Sequence, residues 1–405
     1  VRSRADAVAA DAADPLRHVR SRFRLPDGVV YLDGNSLGAL PLGVAESVAE
    51  TVDSHWGRDL IASWNANGWW TLPTRVGDRI GALVGAAAGQ LICGDSTSVQ
   101  LFQALVALAR LRPGRSTIVT DGANFPTDQY LAESVAELLG MALVRVTPRD
   151  VESVLGPDVA LVSFSAVDYR TGELWDAPAV TAAVHDAGAV MLWDLCHAVG
   201  AVPFDLDGIC ADAAVGCSYK YLNGGPGAPA WIYLAARHHE RVHLPLTGWQ
   251  GHADPFGLSS SYLPASGIER ARIGTPPIIA MRALDAALDV FEDVALADVR
   301  AKSLALTELA LTRADDLAVS AVTPREPGRR GSQVALRLPH AYEVTQALIG
   351  RGVIGDFREP DLLRLGFAPL YVRFVDVWDA MDVLADVLGS EAWRDPRYAA
   401  RATVT

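Results

Sequence analysis

Residues 213–234 read AAVGCSYKYLNGGPGAPAWIYL. A short apolar run, Ala213 to Ser218, leads directly into Tyr219, Lys220 and Tyr221, and a glycine-rich turn from Gly224 to Gly227 follows. Open α/β sheets collect their ligands at the carboxyl ends of their strands. A reactive side chain placed just after a buried-looking strand therefore marks such an edge. Lys220 and Lys302 are the only lysines in the chain, all other basic residues being arginine. Chemistry that needs an amine has two candidates, and the one in apolar, aromatic surroundings is the better nucleophile, because burial disfavours the charged amine.

The pattern on either side of this stretch extends the sheet. TIVTD (Thr117 to Asp121), ALVRVT (Ala142 to Thr147), ALVSFSAV (Ala160 to Val167) and VMLWDLC (Val190 to Cys196) are short β-rich runs. Helical spacing separates several of them, over Asp128 to Leu139 and over Ala177 to Ala187. Strands alternating with helices, several continuously apolar, predict a mostly parallel sheet covered on both faces. One long helix is expected from Ile278 to about Ala314; beyond it VALRLP, a helix near Glu343 to Ile349, LLRLGFAPLY and a last helix from Asp376 to Leu388 suggest a smaller α+β unit. The expected organisation is an N-terminal segment, 1–45, packing on the small domain, a large α/β/α domain, 46–290, and a small C-terminal domain, 291–405.

Composition narrows the classes. A chain of 405 residues buries a large core. Its formal net charge of -13 disfavours a nucleic-acid binder, which needs clustered basic side chains against phosphates. No run reaches the length of a membrane span, and Asp6, Asp11 and Asp14 among the early arginines are unlike a signal or transit peptide, so a cytoplasmic location is expected. Cys93, Cys196, Cys210 and Cys217 form no C-x-x-C, so disulfides and zinc are not expected and all four are taken as small buried apolar groups. RHHERVH places His239 and His243 four apart without a third ligand, so a solvated helix face is preferred to a metal site, and no metal is expected.

Three further segments fall at strand ends. In CGDSTSVQ, Thr97 and Ser98 stand where a helix begins, and the free N–H groups and hydroxyls of a helix N-terminus suit a phosphate. In WDLCHAVG, Asp194 ends a strand and His197 follows three residues on; in DGANFPTDQY, Phe125 and Asp128 follow another strand. A lysine for an imine, a strand-end aspartate for a pyridinium proton and a helix terminus for a phosphate are the three needs of pyridoxal phosphate. YLDGNSLG, residues 31–38, contains G-x-S-x-G, the spelling of a hydrolase nucleophile elbow. That elbow requires a core strand before the serine and a helix after it. Here Pro41 follows and little strand precedes, which favours either a turn or a service to some other group's chemistry for Ser36.

YLDGNSLG, NFPTD, WDLCHAVG, SYKYLNGGPGAP, GWQGH, RIGTPP and LRLGFAPLY stand in the order and spacing of kynureninase, a fold-type-I pyridoxal phosphate enzyme, and the chain resembles that family from about Leu25 onward. The resemblance implies hydrolytic Cβ–Cγ cleavage of L-kynurenine to anthranilate and L-alanine, with pyridoxal 5'-phosphate as cofactor. It makes Lys220 the Schiff-base lysine, Asp194 the partner of the pyridine nitrogen with His197 beside it, and Tyr219 a candidate acid. Phe125 would stack on the ring, and Asp128 and Ser165 would line the cofactor site. Thr97, Ser98 and Tyr219 would hold the phosphate, joined from the neighbouring subunit of a homodimer by Trp249 and Thr275. Arg364 would clamp the substrate carboxylate, with Arg373 as the fallback, and Ser36 would sit at the mouth of the site. Animal members, which favour 3-hydroxykynurenine, carry a histidine near the position of Trp64 and Ser-Asn in place of Gly274-Thr275, so this chain resembles the bacterial pattern and is expected to prefer kynurenine. A cysteine desulfurase or selenocysteine lyase on the same fold is the alternative; it would need a reactive cysteine on a mobile loop.

Overall fold

The computed structural model describes residues 1–401. Its centre is a seven-stranded sheet in the order Leu91–Cys93, Trp231–Leu234, Ala213–Gly216, Val190–Asp194, Val159–Ser165, Thr117–Asp121, Ala142–Val146. The last five are mutually parallel, and Trp231–Leu234 runs antiparallel to both its neighbours. Val159–Ser165 and Val190–Asp194 are buried along their whole length, which explains why they read as mostly apolar runs and not as alternating ones. Helix Thr97–Ala109 is capped by Ser96, whose side chain accepts from Val99 N at 3.4 Å, and buries nearly its whole length against the sheet. Helix Pro126–Leu139 covers the outer strands and stops at Gly140, whose left-handed φ of 65° a Cβ would disfavour.

The single long helix expected from Ile278 is two. Ile278–Ala287 passes into a short 3-10 turn at Leu288–Phe291, and a second helix, Leu296–Asp316, starts after a break. Continuous apolar spacing across the break hid it. The smaller sheet has the order Ser320–Ala321, Gln333–Arg337, Leu362–Gly366, Asp356–Arg358, all antiparallel. The N-terminal helix Arg4–Ala13 packs against Phe374–Gly389, Val30–Tyr31 pairs in parallel with Val353–Ile354 as a separate two-stranded sheet, and Asp33 bridges to Gly366, so the start of YLDGNSLG is tied to the small sheet. Within the described residues no helix is long and apolar enough to cross a membrane. RHHERVH forms no helix face: a three-residue 3-10 turn, Ala236–His238, ends there, and His239 is buried with Nε2 at 2.8 Å from the Leu234 carbonyl. No cluster of metal-ligating side chains occurs among the described residues.

Candidate active site

The Lys220 segment is a closed turn at the end of Ala213–Gly216. Asn223 N donates to Lys220 O at 2.9 Å and Gly224 N to Ser218 O at 2.9 Å. Asn223 takes a left-handed φ of 59°, and Gly225 and Gly227 take φ of 88° and 72°, which is why glycine clusters here. The lysine has no carboxylate partner among the described residues; its Nζ lies 3.2 Å from His197 Nε2. Burial, then the positive charges of Lys220, Arg364 and Arg358, push the His197 imidazole well down, so it stands neutral beside the amine. Lys302, the other lysine, is buried in helix Leu296–Asp316 in an ion pair with Asp14 at 2.6 Å, which is a structural role.

The carboxyl edge of the sheet brings four predicted residues together. Asp194 Oδ1 accepts from Cys196 N at 2.7 Å, and its Oδ2 accepts from Ser165 Oγ at 3.0 Å. Ser165 also meets Asn124 Oδ1 at 2.8 Å, and Asn124 Nδ2 donates to Asp128 Oδ2 at 2.9 Å. Burial and the neighbouring Asp194 push the Asp128 carboxyl well up, which favours its protonated form. Phe125, nearly half exposed at 45%, stands at the start of helix Pro126–Leu139 with its ring edge-on to Tyr169 at 5.3 Å. A cavity of about 590 Å³ lies between Thr97, Tyr219, Gly227 and Thr275, and Ser98 follows Thr97 in the first turn of its helix. Burial raises the Tyr219 hydroxyl far above its ordinary range, leaving it a donor. A larger groove of about 850 Å³ past Trp175, Phe204 and Arg329 contains none of these residues.

The second half of the site comes from the small sheet and from YLDGNSLG. Arg364 is fully buried and sits directly opposite Asp356 in the antiparallel register. Its Nε donates to Asp356 Oδ1 at 2.8 Å, its Nη2 to Asp356 Oδ2, and its Nη1 to the carbonyl of Tyr169, the residue whose ring meets Phe125. Burial opposes ionisation of Asp356, but Arg364 and Arg358 outweigh it and hold the carboxyl below its ordinary value. Arg373 pairs instead with Asp376 at 2.6 Å at the start of the last helix, so the fallback assignment is set aside.

Ser36 donates to Asp356 Oδ2 at 2.7 Å and accepts from Arg364 Nη2 at 3.0 Å; it lies in a turn with no strand-to-helix elbow. The two glycines of the motif serve close approach. An ideal Cβ on Gly34 would stand 2.4 Å from the Tyr371 hydroxyl, and one on Gly38 would stand 2.3 Å from the Lys220 carbonyl. Gly38 N also donates to Tyr219 O at 2.7 Å, so YLDGNSLG props the lysine turn. Ser36→Ala is therefore expected to raise KM by roughly ten- to a hundredfold, from lost hydrogen bonds to charged groups, with kcat little changed. A fluorophosphonate should leave the wild-type enzyme active; stoichiometric inactivation at Ser36 would overturn this assignment.

Trp64 and Trp249 sit elsewhere. Trp64 lies 6.2 Å from Trp70, which lies 5.8 Å from Trp249, forming an aromatic patch continued by exposed Phe256. Ring contacts join Trp64 and Trp249 to this patch and not to Lys220. Gly274 lies beside Thr275 with open space where a Cβ would be. Sequence reasoning missed Asn124, Tyr169, Asp356 and Arg358. Only Asp356 carried a signal: an aspartate eight residues before Arg364 across a short loop falls opposite it in a hairpin.

The fold and the lysine at its sheet edge define the fold-type-I class of pyridoxal phosphate enzymes. Solved structures agree in fold: the apo cysteine desulfurase of Thermococcus onnurineus NA1 matches with TM-score 0.80 at 18% identity, over 92% of this chain and 98% of that one. The Escherichia coli cysteine desulfurase CsdA matches with TM-score 0.78 at 19% identity, over 93% and 98%. Sequence is more specific. The kynureninase C-terminal domain model matches residues 299–384. The kynureninase of Burkholderia pseudomallei strain 1106a is 48% identical over 416 aligned residues, covering 100% of both chains. That of Deinococcus radiodurans is 48% identical over 390 residues, covering 94% of this chain and 95% of that one. The chain belongs to the kynureninase family.

Proposed function

We propose that this protein hydrolyses L-kynurenine to anthranilate and L-alanine with pyridoxal phosphate bound at Lys220. The observation that carries the reading is one face that combines an amine free of carboxylate partners, a neutral His197 and a buried, forked Arg364. The donor set fits the cofactor: Thr97 and Ser98 at a helix N-terminus for its phosphate, Asp194 at a strand end for its ring nitrogen and Phe125 for its face. The bound cofactor supplies an electron sink for charge developing at the substrate's α-carbon.

The residues of the chain do the rest. Lys220 anchors the cofactor and then accepts and returns the α-proton, a step that neutral His197 does not oppose as a second cation would. Arg364, held by Asp356 and the Tyr169 carbonyl, binds the α-carboxylate, and Ser36 completes that corner. Tyr219, protonated and beside the phosphate cavity, donates a proton to the ketone oxygen as water adds to the aryl ketone or to Cβ as the Cβ–Cγ bond of that hydrate breaks. The desulfurase alternative lacks its nucleophile. Cys93, Cys196 and Cys217 are buried as expected; Cys210 is not, being exposed before strand Ala213–Gly216, at the opposite end from Lys220.

The exposed aromatic patch supports a homodimer in which Trp249 reaches the partner's phosphate, whereas Thr275, expected there too, lines the cavity of its own chain beside Thr97 and Tyr219. Mixing Lys220→Ala protomers with Trp249→Ala protomers should then restore activity at the one site free of both lesions. A fully active monomer in ultracentrifugation would refute sharing. Trp64, carried on the same patch, offers an indole and no acceptor for a ring hydroxyl, and Gly274 offers no side chain. Desolvating a 3-hydroxyl uncompensated costs about 1 to 3 kcal/mol, so kcat/KM for kynurenine should exceed that for 3-hydroxykynurenine by roughly ten- to a hundredfold. Equal efficiencies would remove Trp64 from the specificity account.

A further inference from the structure

We propose that Asp33 is a positioning residue for the substrate's α-carboxylate: acting through Asp356, it sets whether Arg364 and Arg358 have positive charge left over for that carboxylate. The inference rests on kynurenine binding at Arg364 as proposed above. Asp33 sits in an extended stretch bridged to Gly366, on the strand that carries Arg364. Its Oδ1 is shut off from solvent and has no hydrogen-bond partner, a costly placement for a charged oxygen. Its neighbours are Asp356 and Arg358 from one strand, Arg364 from the next, Tyr31 and Ser36 from its own segment, Tyr221 from the lysine turn and Tyr371. Burial and the charge of Asp356 push the Asp33 carboxyl up to about 7.

Charge counting gives the consequence. Arg358 and Arg364 both pair with the single carboxylate of Asp356, through Oδ2 at 2.7 Å for Arg358. One positive charge remains, and it matches one incoming carboxylate as long as Asp33 is uncharged. Ionised Asp33 cancels that charge, and the substrate then enters a neutral cluster in which two carboxylates already share the arginines. Binding weakens while the atoms that perform the reaction are untouched. The effect falls on KM and follows one ionisation.

Asp33→Asn keeps the size and the uncharged state. Steady-state kinetics on kynurenine between about pH 6 and about pH 9 should show wild-type KM rising above about 7 by up to about tenfold per pH unit relative to the variant, with kcat parallel in the two proteins. Substrate and cofactor ionisations are common to both and cancel in the comparison. Coincident KM profiles, or a loss confined to kcat, would overturn the assignment. Arg358→Gln is the independent check, because removing a cation beside Asp33 must move the break in KM to higher pH; an unmoved break overturns it. Turnover by wild-type enzyme at low pH separates the two readings: its absence at every pH refutes the reaction itself, whereas turnover with coincident profiles refutes only the role of Asp33.

Discussion

Lys220→Ala is expected to lower kcat by at least about a thousandfold, because one amine both anchors the cofactor and moves the α-proton, and general base catalysis alone contributes roughly 10² to 10⁴. Nothing nearby substitutes for it. His197 is neutral, and Lys302 is committed to Asp14 at the end of the N-terminal helix. Treating the cofactor-loaded wild-type protein with borohydride should fix the cofactor to the peptide containing Lys220 and to no other; the visible absorbance of the bound cofactor should be missing from the variant. Label on Lys302, or a variant with wild-type kcat, would show the site to be misassigned. The variant should fold normally, since Lys220 makes no ion pair whose loss strands a buried charge.

Arg364→Ala is expected to have the second-largest effect, on two observables. Truncating a fully buried arginine removes the fork that holds Asp356 and leaves that carboxylate with Arg358 as its remaining cation, at a cost of about 3 to 5 kcal/mol in stability. It also removes the carboxylate clamp, so kcat/KM should fall by roughly 10² to 10⁴, mostly through KM. The stability loss has a defined pH dependence. The folded-state value of Asp356 lies below its ordinary 3.8, so the pair's contribution is present above that value and is lost as pH falls through the lowered one. Wild type and variant should therefore converge in stability toward acid. A constant difference in Tm across that range would contradict the ion-pair account, and unchanged KM would remove Arg364 from substrate binding.

Much of this was legible in the sequence because the strands are continuous and apolar and the chemistry sits at their ends. Thr117–Asp121 emerged with the bounds expected for it, and Val190–Asp194 and Ala213–Gly216 were placed within a few residues. Lysine scarcity singled out Lys220 without any fold. The illegible parts depend on contacts distant in sequence. Ser36 and Arg364 are 328 residues apart, and they meet where Asp33 bridges to Gly366 at the end of the strand that carries Arg364. Gly34 and Gly38 spell an elbow but serve as clearance for Tyr371 and the lysine turn, a distinction that local spelling does not carry. Asn124 is a polar residue in a loop until Ser165 and Asp128 are brought around it by two other segments. The helix break after Phe291 was hidden because apolar spacing persists on both sides.

The central claim is that this chain hydrolyses kynurenine at Lys220, and product analysis tests it most directly. Purified protein loaded with pyridoxal phosphate should convert L-kynurenine to anthranilate and L-alanine in equal amounts, with anthranilate followed by its fluorescence and alanine by amino-acid analysis, and Lys220→Ala should form neither. No anthranilate from the cofactor-loaded wild-type protein, or persulfide and alanine formed from cysteine in its place, would contradict the account.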